Sequence, residues 1–165
     1  MKRSKKIFAV GMLLVLTLVI FAGCGSSGPL VQKEPKESEQ ANLVQMTGKC
    51  TTEVKDNKII VYFESNLVEG TIVQFSIDSY DGQLLEKKQY TVTGENLYAE
   101  FAIDAEWKAE VVYANVVASP SIAAQPKEVD AVYGRIFENM RGEGVIWNAN
   151  ENIFVVQSEK IDLKK

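Results

Sequence analysis

From about Leu43 onward, apolar and polar residues alternate in short runs. In Thr71 to Asp78, the residues Val73, Phe75 and Ile77 fall on one side of an extended chain and Gln74, Ser76 and Asp78 on the other, because successive side chains of a strand point to opposite faces. Leu97, Ala99, Phe101 and Ile103 repeat the arrangement opposite Tyr98, Glu100 and Asp104. Both segments are expected to be half-buried strands. Lys58 to Phe63 and Val111 to Val117 are more uniformly apolar and β-branched, which predicts central strands covered on both faces.

Turn residues separate these runs: Asp56-Asn57, Glu69-Gly70, Asp81-Gly82 and Gly94-Glu95-Asn96. Asp81-Gly82 predicts a two-residue hairpin of type I′, which needs positive φ at both positions. It would pair the strand ending at Ser79 with one beginning near Gln83. Lys87 and Lys88 then mark an edge strand guarded by charge against pairing with other chains.

Near the end the period changes. Val129, Val132, Tyr133, Ile136, Phe137 and Met140 are spaced as one helical face, with Pro126 suited to the first helical position and Gly142 as a stop. Gly134 weakens a helix here by roughly 1 kcal/mol; a helix or two shorter helical turns are expected, lying across the sandwich or covering one of its open ends. Gly144 to Trp147 and Ile153 to Ser158 follow as a last pair of strands around Asn148 to Asn152.

The residues before Leu43 do not belong to this pattern. Between Cys24 and Asn42 they are mostly Gly, Ser, Pro, Glu, Lys and Gln, a composition that cannot bury enough surface to order itself. Residues 24–42 read as a tether, with a root-mean-square reach of roughly 20 to 25 Å. Ahead of it, Lys2, Arg3, Lys5 and Lys6 precede an apolar run from Ile7 to Phe21, shorter than the roughly 20 residues that cross a bilayer as a helix. Residues 1–23 therefore read as an export signal rather than a permanent span. Phe21-Ala22-Gly23-Cys24 resembles the lipobox of bacterial lipoproteins, with Phe21 where Leu is usual. That resemblance implies cleavage before Cys24 after its thiol has been alkylated with diacylglycerol, and hence attachment to membrane lipid through acylated Cys24 on the extracytoplasmic side of the cell membrane.

Cleavage would remove four basic residues and no acidic one, taking the net charge from −4 to −8. A chain this acidic has no basic stripe for nucleic acid, and anionic lipid would repel it, leaving attachment to the acyl chains. With Cys24 acylated, Cys50 has no intramolecular partner. No helix N-terminus or histidine stands near it to lower its pKa, so it reads as a small buried hydrophobe rather than a reactive handle.

Short strands with frequent turns indicate a mainly β fold, an antiparallel sandwich over residues 43–165 with a short helical insertion before the last strands. The order over about residues 50 to 118, and Ser65-Asn66-Leu67-Val68-Glu69-Gly70-Thr71 as the entry to a strand, resemble the immunoglobulin-like or fibronectin type III-like domains of bacterial surface lipoproteins. An antibody-type domain is disfavoured, since the cysteine pair is missing and neither Trp107 nor Trp147 falls on the third strand.

The chain contains no histidine, which excludes Ser-His-Asp and Cys-His catalysis. Its single free thiol and scattered carboxylates fall short of a zinc site, and no phosphate-cradling glycine motif occurs. Asp78, Asp81, Asp104 and Glu106 sit at or beyond strand ends, where they could gather around calcium, although acidic strand ends are more often merely solvated. Tyr80, Trp107 and Trp147 could form an aromatic contact surface for glycan or protein, or simply pack. The expectation is a non-enzymatic binding or structural module without cofactor, whose partner is a protein or another cell-envelope component; the alternative is a small-molecule or ion-binding accessory of a transporter or sensor.

Overall fold

The computed structural model describes residues 42–164; the signal segment, Cys24 and nearly all of the tether lie outside them. The elements are β1 (Val44–Met46), β2 (Gly48–Lys55), β3 (Lys58–Ser65), β4 (Ile72–Ser79), β5 (Leu84–Thr91), β6 (Asn96–Ala102), β7 (Val111–Ala118), α1 (Lys127–Tyr133), β8 (Met140–Gly142), β9 (Val145–Asn148), β10 (Glu151–Gln157) and β11 (Ile161–Asp162). The fold is mainly β. One antiparallel sheet runs β2-β3-β6; a larger one runs β5-β4-β7-β10-β9, with β11 also paired to β7; β1 and β8 form a short parallel pair.

The alternation places the core as expected. Val73, Phe75 and Ile77 of β4 and Phe101 of β6 have no exposed surface, and Ala99 has almost none. They share one cluster with Ile59, Val61 and Phe63 of β3 and Val112, Ala114, Val116 and Ala118 of β7, so both sheets turn one face to the same core. The Phe63 ring meets Phe75 edge-on at 6.0 Å, and Phe75 meets Tyr90 of β5 at 5.3 Å. Each such side chain contributes roughly 1.5 to 3 kcal/mol by leaving water.

β3 and β7 are central strands, but they are not covered on both faces. Tyr62 is 40% exposed, and Val111, Tyr113, Asn115 and Val117 are half-buried. The β-branched and aromatic residues on the outer faces suit the pleated surface without being enclosed.

The turns also differ from the expectation. At Asp81-Gly82 only Gly82 has positive φ, +86°, so a type I′ turn is excluded. Gly82 N–H donates to Ser79 O and Ser79 N–H to Gln83 O, both at 2.9 Å, and the β4–β5 register shifts between Ile77 and Asp78. This is an ordinary turn at Tyr80-Asp81 closed by a glycine, with a bulge beside it. The hairpin with both central residues at positive φ is Asp56-Asn57, at 50° and 58°, between the paired Lys55 and Lys58. Asn57 Nδ2 donates to Ile103 O at 3.1 Å, which holds the turn in this region.

The helix stops at Gly134 (φ +83°), well before Gly142. Pro126 caps it rather than occupying its first turn. Phe137 and Met140 are nonetheless fully buried with Val129 and Tyr133. Tight turns keep the spacing after the helix has ended: Phe137 N–H donates to Gly134 O and Met140 N–H to Phe137 O, and Phe137 has φ +57°. The final strands form as expected, β9 and β10 pairing around Ala149-Asn150. Ser158 to Lys160 then face only Tyr113 and Ala114 across the ladder. Ser158 mends this bulge by donating its N–H to Ala114 O at 2.9 Å and accepting the Ala114 N–H on Oγ at 3.0 Å.

Candidate functional site

The β4–β5 turn and the loop from β6 to β7 meet in an open cleft of about 790 Å³. The loop is shaped locally: Asp104 Oδ1 accepts the Glu106 N–H at 2.9 Å and Asp104 O accepts the Trp107 N–H at 3.1 Å, an Asx turn of the kind short acidic side chains favour. Tyr80 N–H donates to Val111 O at 3.1 Å, tying the two sides together. Trp107 is partly buried against the core. Tyr80 is 73% exposed and stacks on Tyr113 with ring centres 6.0 Å apart.

Asp81, Asp104, Glu106 and Glu110 line the cleft against a single cation, Lys108. Lys164 forms an ion pair with Glu110. The Ser79 hydroxyl donates to Asp81 Oδ1, and this bond, aided by backbone N–H groups, holds the Asp81 carboxyl below its ordinary range. Asp81 is therefore charged at any neutral pH.

Of the four carboxylates singled out for calcium, Asp81, Asp104 and Glu106 come together here and Asp78 does not. Asp78 accepts Ser76 Oγ and Asn115 Nδ2, each at 2.7 Å, on the outer face of the larger sheet. Among the described residues, no three His, Cys, Asp or Glu side chains gather closely enough to hold a metal ion. The aromatic trio divides likewise. Tyr80 and Trp107 share the cleft, whereas Trp147, 60% exposed, borders a separate hollow beside Glu138 and Arg141.

Sequence reasoning missed Lys108, Glu110 and the apolar Leu85 of this site. The dense run Asp104 to Glu110, charged at four positions between two apolar strands, was the available signal. Cys50 lies inside the core, its Sγ 4.0 Å from Ala114 O. Burial pushes its thiol up to about 12, leaving it protonated and unreactive at neutral pH. Cys24 lies outside the described residues. Comparison of the chain with known protein families and with curated proteins finds no match.

Proposed function

We propose that this protein is an extracytoplasmic lipoprotein, held at the cell membrane by acyl chains on Cys24, whose β domain acts as a non-enzymatic binding or structural module. The observation that carries this reading is the N-terminal order of basic start, short apolar run and Phe21-Ala22-Gly23-Cys24. An immunoglobulin-like, more narrowly fibronectin type III-like, sandwich is the finer reading of the fold. In its support, β2, β3 and β6 group against β5, β4, β7 and β10, as strands A, B and E group against C′, C, F and G in that class. The excursion through α1 and β8 and the added edge strand β9 depart from it. Fold analogy leaves the partner open.

A non-catalytic role is supported by the absence of histidine and by the Cys50 thiol being held protonated in the core. The open cleft favours binding over a purely structural duty, and it also favours the second reading, an accessory that holds a small molecule or ion for a transporter or sensor. Acyl anchoring is tested by Cys24→Ala. Each buried methylene is worth roughly 0.8 kcal/mol, so two or three chains anchor firmly. The variant should be released from membranes or accumulate as unprocessed precursor. Normal processing together with retention through a carbonate wash would show that the lipid is not the anchor.

A further inference from the structure

The chain that leads from Cys24 joins the described residues at Asn42, and β1 starts at Val44. Val44 N–H donates to Asn139 O at 2.8 Å and β1 pairs with β8, which sets Leu43 beside the turns that follow α1. Ile136 lies in those turns, and its carbonyl accepts the Asn152 N–H at 2.9 Å. Asn152 faces Trp147 across the β9–β10 ladder. Leu43, Ile136 and Trp147 are all exposed, so segments far apart in sequence bring three large apolar side chains to one end of the domain. That end lies opposite the cleft. β7 runs from Val111 at the cleft to Ala118, whose ladder partner Phe154 follows Asn152 on β10. At about 3.3 Å per residue, roughly 23 Å of strand separates the two ends.

Apolar side chains of this size gathered in the open mark a contact surface, and three features fit a lipid bilayer. The tether joins the domain here, and its reach of roughly 20 to 25 Å keeps this end close to the lipid that would hold Cys24. An indole ring beside long aliphatic side chains suits the boundary between headgroups and acyl chains, where Trp keeps its N–H in a polar layer and its rings in an apolar one. Arg135 and Arg141 stand exposed beside the apolar residues, with Glu138 between them. Glu143 lies apart, lining another hollow with Lys49. Neither arginine forms an ion pair among the described residues, so the negative charge of the whole chain is not concentrated at this end. Their stems can lie along apolar surface while the guanidinium groups reach lipid phosphates. We propose that this end of the domain rests on the membrane surface, with Trp147 at the level of the headgroups and the cleft turned away from the lipid. This inference rests on reading Cys24 as the anchor.

The test uses the processed chain, reconstituted in phosphatidylcholine vesicles whose acyl chains are brominated near the headgroups. The sequence has two tryptophans, so Trp107→Phe leaves Trp147 as the reporter at the membrane end and Trp147→Phe leaves Trp107 at the cleft. Bromine should remove at least about half of the Trp147 emission and almost none of the Trp107 emission. Adding Leu43→Asp/Ile136→Asp should lower the quenching of Trp147 several-fold. Adding Val54→Asp/Tyr98→Asp, at two exposed residues of the three-stranded sheet, should leave it unchanged. Urea melts of both double variants should match the parent, so that a lost contact is not mistaken for a lost fold. Equal quenching of the two tryptophans, an unquenched Trp147, or equal effects of the two double variants would overturn the proposal. A Trp147 shielded from lipid bromine and aqueous iodide alike would assign the surface to a second copy of the chain instead. Mass spectrometry of the same sample separates this inference from the reading beneath it. Diacylglycerol on Cys24 with an unquenched Trp147 refutes the membrane contact alone, whereas an unmodified Cys24 refutes the anchor and the proposal with it.

Discussion

The strands facing the core and the excursion from Ser119 to Gly142 bury comparable side chains, yet they satisfy their backbones in different ways. β4 lies between β5 and β7, so its N–H and C=O groups find partners in regular ladders and its side chains need only fill space. The excursion has one short helix and a three-residue parallel pair, and polar side chains supply much of the rest. Gln125 acts as a piece of strand, its Oε1 accepting the Ile72 N–H at 2.9 Å and its Nε2 donating to Ile72 O at 3.1 Å. Asn152 Nδ2 donates to Phe137 O at 2.9 Å, Asn139 Nδ2 to Val132 O at 3.2 Å, and Tyr133 Oη accepts the Val68 N–H at 2.7 Å. Glu151 Oε1 accepts the hydroxyls of Ser119 and Ser121. Among the described residues, no buried side-chain nitrogen or oxygen lacks a partner. Irregular backbone is thus kept inside the fold by a few polar side chains, of which Gln125, Asn152 and Glu151 hold more than one bond each.

The largest expected effect lies on the ladder side. Phe101→Ala should cost about 3 to 5 kcal/mol in urea melts, as a fully buried ring leaves a cavity between the sheets. Its neighbour Glu100 points outward and pairs with Lys58 at 2.8 Å with both side chains nearly half exposed, so Glu100→Ala should cost less than about 0.5 kcal/mol. Similar losses at the two positions would refute the two-faced strand.

On the other side, Asn152→Ala would leave the Phe137 carbonyl without its side-chain donor, while Met140 O would keep Arg141 Nη1 at 2.6 Å. The loss should be about 1 to 3 kcal/mol despite the small change in apolar burial. A cost below about 0.5 kcal/mol would mean that the excursion is held by its apolar residues alone.

A further effect is one of pH and concerns Cys50. Its thiol titrates at about 12 in the folded chain against an ordinary 9.0, so between these values the folded state keeps a proton that the unfolded state loses. Its contribution to stability is complete below pH 9 and declines as pH rises toward 12. Relative to Cys50→Ala, the parent should lose about 1 kcal/mol between pH 8 and pH 10, measured by paired urea melts in which the other titrating groups cancel. An unchanged difference would place the thiol in contact with water.

This contrast also explains what the sequence could convey. The period-two faces of Val73, Phe75 and Ile77 and of Ala99 and Phe101 were legible because burial alone dictates them. Asp56-Asn57 and Asp81-Gly82 both read as turns, but glycine is the louder signal for two positive φ angles, whereas here neighbouring bonds hold Asp56 and Asn57, two residues with side chains, in that conformation. The helical spacing runs on past the end of the helix, because Phe137 and Met140 keep it through successive turns. The parallel pairing of β1 with β8 was hidden, as it joins segments far apart in sequence and depends on the bonds of the excursion. Asp81, Asp104 and Glu106 belong, with Asp78, to one group expected from the sequence, and Tyr80 and Trp107, with Trp147, to another. Their convergence in one cleft, without Asp78 or Trp147, follows from which loops close the same end of the sheets, and no local pattern encodes it.

Native-state hydrogen exchange tests the contrast most directly, because it reads each backbone bond in the intact chain. The amides of Val73 to Ile77 and of Val112 to Val116 should exchange only through global unfolding, with a common denaturant dependence. Those of Phe137 and Met140 should exchange through a smaller opening that Asn152→Ala makes easier still. If Phe137 and Met140 are protected to the same degree as Phe75, and Asn152→Ala changes all of these sites equally, the excursion is part of the same cooperative ladder core and the distinction between the two regions fails.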